Sequence, residues 1–376
     1  MDRDILFLSS NRYGDFPSRK TRFSKYLSEN GFRVVYVDSP HTYLAYLKSG
    51  FKVENRGKIE QISHNFYVLR SFPIFPFFKK YRVFNKLDEE IYFRSIVSSL
   101  KEISFKPLLI FSYLPFFPET IMHFKAKTIY DCVDDHASFG GLVNRQFVNE
   151  LEKKMVQVSD IVITTGNKFL KDKLRKFGKD PIQIPNGVDY PLFSKWLQIK
   201  DTLKIKKQIV YVGAIASWFD IELVKFLLET LPDFEVLLIG FNSVDISQLL
   251  KERNIKFLGK LPQDQFAPIL WESAVGIIPF KINDLTKNID PLKIYEYLAA
   301  GVPVVSTPVG NVSNLPVYVA STKEDFVEKI KIAVNEDSIE KRIKRTLDAK
   351  EYSWEKRSLQ ILRIVEDLLS GHSQDG

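Results

Sequence analysis

The stretch Asn288–Thr307 reads NIDPLKIYEYLAAGVPVVST, and it contains a polar loop, a short helix and a buried strand in that order. Pro291 suits the first turn of a helix, because its ring fixes φ and its missing N–H would have no partner there. Gly301 is a residue type that commonly ends a helix. Val302–Val305 is a short apolar run, typical of a strand covered on both faces. The order predicts an α/β unit in which the start of the helix presents free backbone amides to a cleft.

The start of this helix has chemistry that suits a diphosphate. A helix N-terminus carries a partial positive charge and unpaired N–H groups. Lys293 adds a cation in the first turn, and Glu296 lies about one turn further along on a neighbouring face. An ordinary buried helix of an α/β domain fits the same pattern, so the residues alone leave both interpretations open.

The whole stretch resembles the donor-binding helix of nucleotide-sugar glycosyltransferases with the two-domain GT-B architecture. The resemblance implies that Glu296 holds the ribose hydroxyls. It also implies that the helix start at Pro291 and Leu292 holds the diphosphate together with Lys293. Many members carry two glutamates separated by seven residues, and Asn288 stands where the first would be. The usual set of contacts to the sugar ring is therefore incomplete, and Asn288 is the donor-binding residue expected at that position.

The segment Thr128–Gly141, TIYDCVDDHASFGG, is the second one that carries chemistry. Its apolar part predicts a strand, and Asp134, Asp135 and His136 follow that strand directly. In open α/β sheets, ligands bind outside the carboxyl ends of the strands. Two carboxylates and an imidazole at that edge could remove the proton of an attacking hydroxyl, but such residues are also common in capping turns.

This segment closely resembles the YD-x-x-DD-x-x-x-F-x-G signature of bacterial, glycosyltransferase family 4-like enzymes that build cell-surface polysaccharides of the lipopolysaccharide or teichuronic-acid type. The resemblance favours a catalytic role over a turn. Asp135 is the expected general base, because Asp134 would point into the sheet face if it ends the strand. Asp134 itself, and His136 oriented by a carboxylate, are the alternatives. A further alternative is a mechanism without a protein base, as retaining members of this fold are thought to use.

The chain opens with a βαβ pattern, formed by a strand at Ile5–Leu8, a helix at Pro17–Asn30 and a strand at Val34–Val37. The first loop has a single glycine and is no dinucleotide fingerprint, which argues against a nicotinamide or flavin enzyme. Residues 39–65 look irregular. The first half of the chain is therefore expected to be a Rossmann-like unit without a dinucleotide cofactor.

The segment IPNGVD at Ile184–Asp189 is by itself only a tight turn. At this place it resembles the segment that closes the first domain of GT-B enzymes. Tyr190–Lys207 is charged and weakly patterned, which predicts an interdomain linker.

The second half opens with a strand, a turn of small residues and a helix, where backbone can approach a phosphate. In the family that the chain resembles, the loop YVGAI-x-x-WFD lies over the donor, which implies donor-binding roles for Gly213, Ala214 and Asp220. Strands and helices then alternate, which predicts a doubly wound parallel sheet. The last helix, Ser353–Ser370, is amphipathic, with Trp354 in its apolar stripe; the other members of that stripe are Ile361, Val365 and Leu368.

Positive charge and aromatic residues are concentrated in the first half of the chain. Residues 1–190 contain 30 Lys and Arg against 21 Asp and Glu, and the remainder contains 24 against 25. The same half contains FPIFPFF at Phe72–Phe78 and YLPFFP at Tyr113–Pro118. Basic surfaces with exposed aromatics suit anionic membranes. They also suit nucleic acid, but no nucleic-acid motif accompanies them, so a membrane contact is expected and a nucleic-acid partner is not.

The 376 residues exceed one typical domain, and two domains of similar size are expected. The single cysteine, Cys132, excludes a disulfide framework, and no Cys/His cluster has zinc spacing. The first ten residues lack the basic and apolar regions of a signal peptide. The uncharged run Pro107–Pro118 is shorter than the roughly 20 residues of a spanning helix. A cytoplasmic protein, peripheral on the inner face of the cell membrane, is the expectation.

These observations predict an α/β protein of GT-B fold, with two Rossmann-like doubly wound domains facing a cleft. Residues 1–190 are expected to form the acceptor-side domain, joined by a C-terminal helix, 355–376, that crosses back to it. Residues 191–354 are expected to bind the nucleotide-sugar donor.

The expected function is transfer of a hexosyl or glycuronosyl group from a nucleotide-sugar, a UDP-sugar above all, to a glycan or lipid-linked acceptor of cell-surface polysaccharide. No metal or other cofactor is expected, because a helix N-terminus with Lys293 can neutralise the leaving diphosphate and no Asp-x-Asp ligand pair is evident. A nucleotide-sugar epimerase of GT-B fold remains an alternative. A degenerate nucleotide-binding module is another, because of Asn288.

Overall fold

The structure is a computed structural model of the chain, and it describes residues 3–15, 17–44, 57–70, 72–138, 141–165, 168–283 and 285–371. The chain divides into two compact units, one formed by Met1–Ile184 with Arg357–Gly376 and the other by Pro185–Lys356. Within the described ranges, no helix combines the length and the apolar content that a membrane span requires.

The first unit is built on a sheet of eight described strands and a separate two-stranded pair. In chain order, the strands are β1 (Asp4–Leu8), β2 (Arg33–Val37), β3 (His41–Thr42), β4 (Ile59–Ser63), β5 (Phe66–Leu69), β6 (Pro73–Ile74), β7 (Leu109–Ser112), β8 (Lys127–Cys132), β9 (Ile161–Thr164) and β10 (Ile182–Gln183). The sheet order is β10-β9-β8-β7-β1-β2-β5-β4, parallel except for β4, and β3 pairs with β6. The carboxyl ends of β1, β7, β8 and β9 therefore lie along one edge.

Two expectations for the first unit need correction. Residues 39–65 are not wholly irregular, because Ile59–Ser63 forms β4, the antiparallel edge strand. Its outer residues are exposed, so it lacks the apolar pattern of a buried strand. The first helix begins at Arg19, two residues after Pro17, because Ser18 and Thr21 form a capping box at its start.

The helices of the first unit cover the two faces of its sheet. They are α1 (Arg19–Glu29), α2 (Arg82–Glu102), α3 (Pro118–Phe124), α4 (Arg145–Val158) and α5 (Lys168–Lys176). One core cluster joins alternate residues of the central strands, such as Ile110 and Tyr130, to apolar residues of α2, α4 and α5.

The second unit is a six-stranded, all-parallel sheet with helices on both faces. Its strands are β11 (Lys206–Val212), β12 (Glu235–Ile239), β13 (Ile255–Gly259), β14 (Ser273–Ile278), β15 (Val304–Ser306) and β16 (Tyr318–Val319), in the order β13-β12-β11-β14-β15-β16. Its helices are α6 (Tyr190–Phe193), α7 (Ile221–Thr230), α8 (Gln263–Glu272), α9 (Leu292–Ala299), α10 (Lys323–Asn335) and α11 (Ile339–Asp348). Alternate residues of β11 join two separate cores, with α7 and α10 on one face and α8 and α9 on the other.

The segment Tyr190–Lys207 is not a free linker, which corrects the expectation from its weak pattern. Trp196 is fully buried, and its indole N–H donates to Thr346 Oγ1 at 3.1 Å. The indole N–H of Trp271 in turn donates to the carbonyl of Phe193 at 2.9 Å. Two aromatic anchors thus pack the start of this segment into the second unit.

The last helix, α12 (Trp354–Ser370), begins in the second unit and is grouped with the first from Arg357 onward. Trp354, Ile361 and Val365 are buried as the apolar stripe predicted, and Leu368 is half-buried. The helix that returns to the first domain, expected for the GT-B fold, is therefore present.

Candidate functional site

The predicted donor helix forms as the sequence indicated, with one residue of difference at its start. Pro291 is the N-cap of α9 rather than its first helical residue, and no side chain caps the helix N-terminus. Gly301 follows the C-cap with φ of 77°. The N–H of Ile294 donates to the carbonyl of Pro291 at 3.1 Å. The other two first-turn amides, of Leu292 and Lys293, have no partner among the described residues. Unpaired N–H groups at a helix start suit an anion.

Lys293 and Glu296 form an ion pair on α9. Lys293 Nζ lies 2.7 Å from Glu296 Oε2, and the ammonium lies 5.1 Å from the centre of the Phe266 ring. Gln263 donates to the other carboxylate oxygen of Glu296 at 2.9 Å. The Glu296 residue is only 1% exposed. Ribose hydroxyls could reach this carboxylate only by replacing or sharing one of these two partners.

Asp290 is a functional candidate that the sequence analysis missed. Its Oδ2 accepts the backbone N–H of Asn186 at 2.7 Å, and its Oδ1 accepts the hydroxyl of Tyr295 at 2.6 Å. Asn186 also donates through its side chain to the carbonyl of Asp290 at 3.1 Å. Asp290 thus ties the Asn186-Gly187 turn to the loop before α9. The only sequence signal for this role was an aspartate directly before Pro291, and it did not indicate which residues Asp290 would bind.

The side chain of Asn288 lies outside the described part of the structure. Its backbone forms the end of a 3₁₀ turn at Thr286–Asn288. Its role as the residue in place of the first glutamate therefore stays a prediction.

Glycines bring the loops at the carboxyl edge of the second sheet close together. A Cβ on Gly240, at φ 146°, would lie 1.9 Å from the carbonyl oxygen of Gly213. A Cβ on Gly310, at φ 53°, would lie 1.8 Å from the carbonyl oxygen of Ile289. The sequence analysis named Gly213 but not Gly240 or Gly310. Those two positions require glycine because loops that are distant in sequence pack against them.

The other two residues of the predicted donor loop have structural roles. The hydroxyl of Tyr211 donates to the carbonyl of Ala214 at 2.7 Å. Asp220 is the N-cap of α7, where its carboxylate accepts the N–H of Leu223 at 3.0 Å. The carboxylate of Asp220 therefore stabilises a helix start, and Gly213 and Ala214 hold the loop after β11 in place.

In the first unit, Asp135 lies in a buried charge network. Its Oδ1 is 2.5 Å from Lys173 Nζ, and its other oxygen accepts the hydroxyl of Ser138. Lys173 also lies 2.6 Å from Glu152, which accepts the hydroxyl of Tyr130 at 2.8 Å. Burial acts to raise the pKa of Asp135, but the hydrogen bond and charge of Lys173 outweigh it and the pKa is lowered.

Asp134 has a different environment. It is half-buried, and it has no salt-bridge partner in the described ranges. Burial raises the pKa of its carboxyl, and the nearby Lys20 opposes that rise. Asp135 is thus held in an ion pair and Asp134 has none among the described residues, and the choice of general base between them stays a prediction.

His136 is buried, and its ring lies edge-on to Phe116 at 5.3 Å. Burial, together with the charges of Lys79, Lys20 and Lys173, lowers the pKa of this imidazole to about 3. The ring is therefore neutral at pH 7 and is a poor proton acceptor.

Asp131, the aspartate of the YD pair in the signature, has a structural role. Arg19 Nε lies 2.7 Å from Asp131 Oδ2, and a second guanidinium nitrogen donates to the carbonyl of Ile184 at 2.7 Å. Both charged side chains are buried. In the part of the chain that the structure describes, no group of three or more His, Cys, Asp or Glu residues is arranged to hold a metal ion.

The chain is similar to known proteins in both sequence and structure. The family model of group 1 glycosyl transferases matches residues 206–337, the range from β11 to α10. The teichuronic acid biosynthesis glycosyltransferase TuaH of Bacillus subtilis (strain 168) is 28% identical over 266 residues, which span 64% of this chain and 66% of that protein.

Solved structures share the fold over nearly the whole chain. Sucrose-phosphate synthase of Thermosynechococcus elongatus has a TM-score of 0.75 at 14% identity, and the match covers 98% of this chain and 100% of that one. HepE of Anabaena, in complex with UDP and glucose, has a TM-score of 0.67 at 14% identity over 97% of this chain and 100% of that one. The chain therefore contains a domain of the glycosyl transferases group 1 type at residues 206–337 and has the GT-B fold of two Rossmann-like domains, as the resemblance at Asn288–Thr307 implied.

Proposed function

We propose that this glycosyltransferase transfers a sugar from a UDP-sugar to a glycan or lipid-linked acceptor in cell-surface polysaccharide assembly. The observation that carries the proposal is the uncapped start of α9 with the Lys293–Glu296 pair, which lies within the matched family range. The UDP complex of HepE and the teichuronic acid pathway of TuaH support the choice of donor and of acceptor class.

The donor diphosphate would lie at the first turn of α9, with Lys293 as its cation. A helix N-terminus and an ammonium stabilise the charge that develops on the leaving diphosphate, so this step is proposed to need no metal ion. Glu296 would accept the ribose hydroxyls once the nucleotide displaces one of its present partners. Asp290 would hold the loop before α9 in position.

The proton of the acceptor hydroxyl would pass to Asp134. This carboxylate has no ion-pair partner among the described residues, and burial raises its pKa toward the range of a working base. Asp135 would instead hold the turn after β8 through Lys173.

A peripheral contact with an anionic membrane, on the cytoplasmic side, completes the proposal. The first unit exposes a run of apolar side chains beside the lysines Lys80 and Lys86, and Val83 and Leu87 on α2 are 67% and 50% exposed. We name the apolar surface as Tyr43, Phe75, Phe77, Tyr81, Val83, Phe84, Leu87 and Ile91; its aromatic rings contact one another at 5.7–6.2 Å between centres. Cations next to exposed aromatic and aliphatic groups suit the headgroup region of anionic lipid.

The test is release of UDP from candidate UDP-sugars with and without acceptor. A transferase releases UDP only when acceptor is present. An epimerase converts the donor without acceptor, and a degenerate binding module does neither. Donors for the assay are chosen by thermal shift, because a ligand that binds only the folded state raises the melting temperature. Failure of every UDP-sugar to bind would contradict the proposal.

A further inference from the structure

Two lysines of the first unit lie buried or half-buried beside Asp134 and His136 without a carboxylate partner. Lys20 is 8% exposed, and its Nζ donates to Asn11 Oδ1 at 2.7 Å. Lys79 Nζ lies over the rings of Phe116 and Phe78, at 4.5 and 5.3 Å from their centres. Neither lysine forms a salt bridge in the described part of the chain. The nearby Lys173, in contrast, is paired with two carboxylates.

These lysines belong to one cluster around His136. The imidazole and Lys79 contact the same ring, that of Phe116. The charges of Lys79 and Lys20 both lower the pKa of His136. Asp134 is the carboxylate that acts on Lys20 most strongly, and it lies beyond salt-bridge distance.

No salt bridge among the described residues compensates the burial of these ammonium groups. Burial lowers the pKa of both Lys20 and Lys79. Contact with aromatic rings attracts a cation, but this attraction is smaller than the cost of removing an ammonium from water. An anion between the two lysines would supply the missing charge and hydrogen-bond acceptors.

We propose that Lys20 and Lys79 bind an oxyanion carried by the acceptor, so that the acceptor is an anionic molecule held with its hydroxyl near Asp134. This inference rests on the proposed function, because it assigns the ligand on the acceptor side of that reaction. A phosphate or diphosphate of a lipid-linked acceptor and the carboxylate of an acidic sugar share this chemistry. The apolar surface includes Phe75 and Phe77, which lie only a few residues before Lys79. This closeness in the chain favours the phosphate of a lipid carrier as the oxyanion.

The test uses the full chain saturated with UDP, so that pyrophosphate cannot report binding at the donor site. Calorimetry then measures binding of inorganic pyrophosphate in one arm and of methyl glucuronide in the other. Lys79→Met and Lys20→Met remove each ammonium, and Lys80→Met is the matched control, because Lys80 is the exposed neighbour of Lys79. Loss of one charged hydrogen bond is expected to weaken binding about tenfold or more in each variant, with the control unchanged.

Pyrophosphate binding that depends on Lys79 identifies a phosphate-type acceptor, and lysine-dependent binding of the glucuronide alone identifies a carboxylate. No binding of either probe, or equal binding by Lys79→Met and Lys80→Met, overturns the inference. Should Lys20→Met fail to fold, Lys79→Met decides alone, because aromatic rings are the only contacts of the Lys79 ammonium among the residues that the structure describes. Transfer to an anionic acceptor that Lys79→Met leaves unchanged rejects this inference and keeps the proposed function. Lysine-dependent oxyanion binding without any sugar transfer rejects the proposed function and keeps the site.

Discussion

Lys173 Nζ lies 2.5 Å from Asp135 Oδ1, so one of two adjacent carboxylates is held in a buried ion pair. The same ammonium lies 2.6 Å from Glu152, so one lysine holds two buried acids. A carboxylate fixed in this way is kept ionised and directed away from other partners. Its neighbour Asp134 has no such restraint, although the two residues are adjacent in the chain.

The first prediction separates these two carboxylates. Asp134→Asn should lower kcat by roughly 10²-fold or more with the KM for donor unchanged, because it removes the base and keeps the size. Asp135→Asn should instead lower the free energy of unfolding by about 3 kcal/mol, because it breaks a buried ion pair. Steady-state kinetics and thermal unfolding of both variants measure the difference.

Three outcomes would contradict this assignment. A large loss of kcat in Asp135→Asn at normal stability, with Asp134→Asn active, would restore Asp135 as the base. Loss of activity in His136→Ala alone would identify the imidazole. Full activity in all three variants would indicate a mechanism without a protein base.

The second prediction concerns the ion pair on α9. Glu296→Ala should weaken UDP binding by about 1.5–3 kcal/mol, the range for a hydrogen bond to a charged group. Lys293→Met should weaken it as well, and the double variant should lose less than the sum, because the two side chains contact each other. Calorimetry with UDP measures all three, with the exposed Glu328→Ala as a control. Unchanged UDP affinity in Glu296→Ala would remove this residue from the donor site.

The third prediction is a dependence of stability on pH that originates at Glu89. Burial raises the pKa of this carboxyl to about 7, although it accepts the N–H of Thr120 at 3.0 Å. Between about pH 4.5 and pH 7 the folded chain therefore holds a proton that the unfolded chain releases, so stability falls as the pH rises through this window. Through this group, the free energy of unfolding should be about 3 kcal/mol lower at pH 8 than below pH 4.5.

Glu89→Gln should abolish most of this decline, because the amide keeps an acceptor for Thr120 and does not ionise. The variant should then unfold at a higher temperature than the original chain at pH 8. Glu90→Gln, an exposed neighbour paired with Arg94, is the control and should leave the pH profile unchanged. An identical decline in Glu89→Gln would mean that other groups cause it.

The fourth prediction tests the apolar surface. The chain should co-sediment with anionic liposomes, and binding should fall as salt rises, because exposed charges are screened beyond about 10 Å at 0.1 M. Leu87→Glu should reduce binding strongly, since it places a like charge against the lipid. Leu347→Glu is the matched control, because Leu347 is similarly exposed (54%) but lies in the second unit. Equal binding to neutral and anionic vesicles, or none to either, would remove the membrane from the proposal.

The sequence by itself determined the fold class and the local form of the candidate site. Alternating apolar strands and helices predicted the parallel sheets, and Pro291 and Gly301 predicted the two ends of the donor helix to within a residue. These features depend on periodicity and on backbone preferences of single residues, which act over a few neighbouring positions. The resemblance of two short segments to known motifs supplied the family and the expected function.

Only the tertiary structure decided which charged groups meet. Lys173 on α5 pairs with Asp135 after β8, Asp290 binds Asn186 across 104 positions, and Lys79 approaches His136 through a shared ring. Tertiary packing likewise showed that the weakly patterned segment after Asp189 is anchored by Trp196 rather than free. The physical reason is that the packing of helices on the sheets determines which ionic and hydrogen-bonding groups meet. No local pattern in the chain encodes the distance between two such groups that are far apart in sequence.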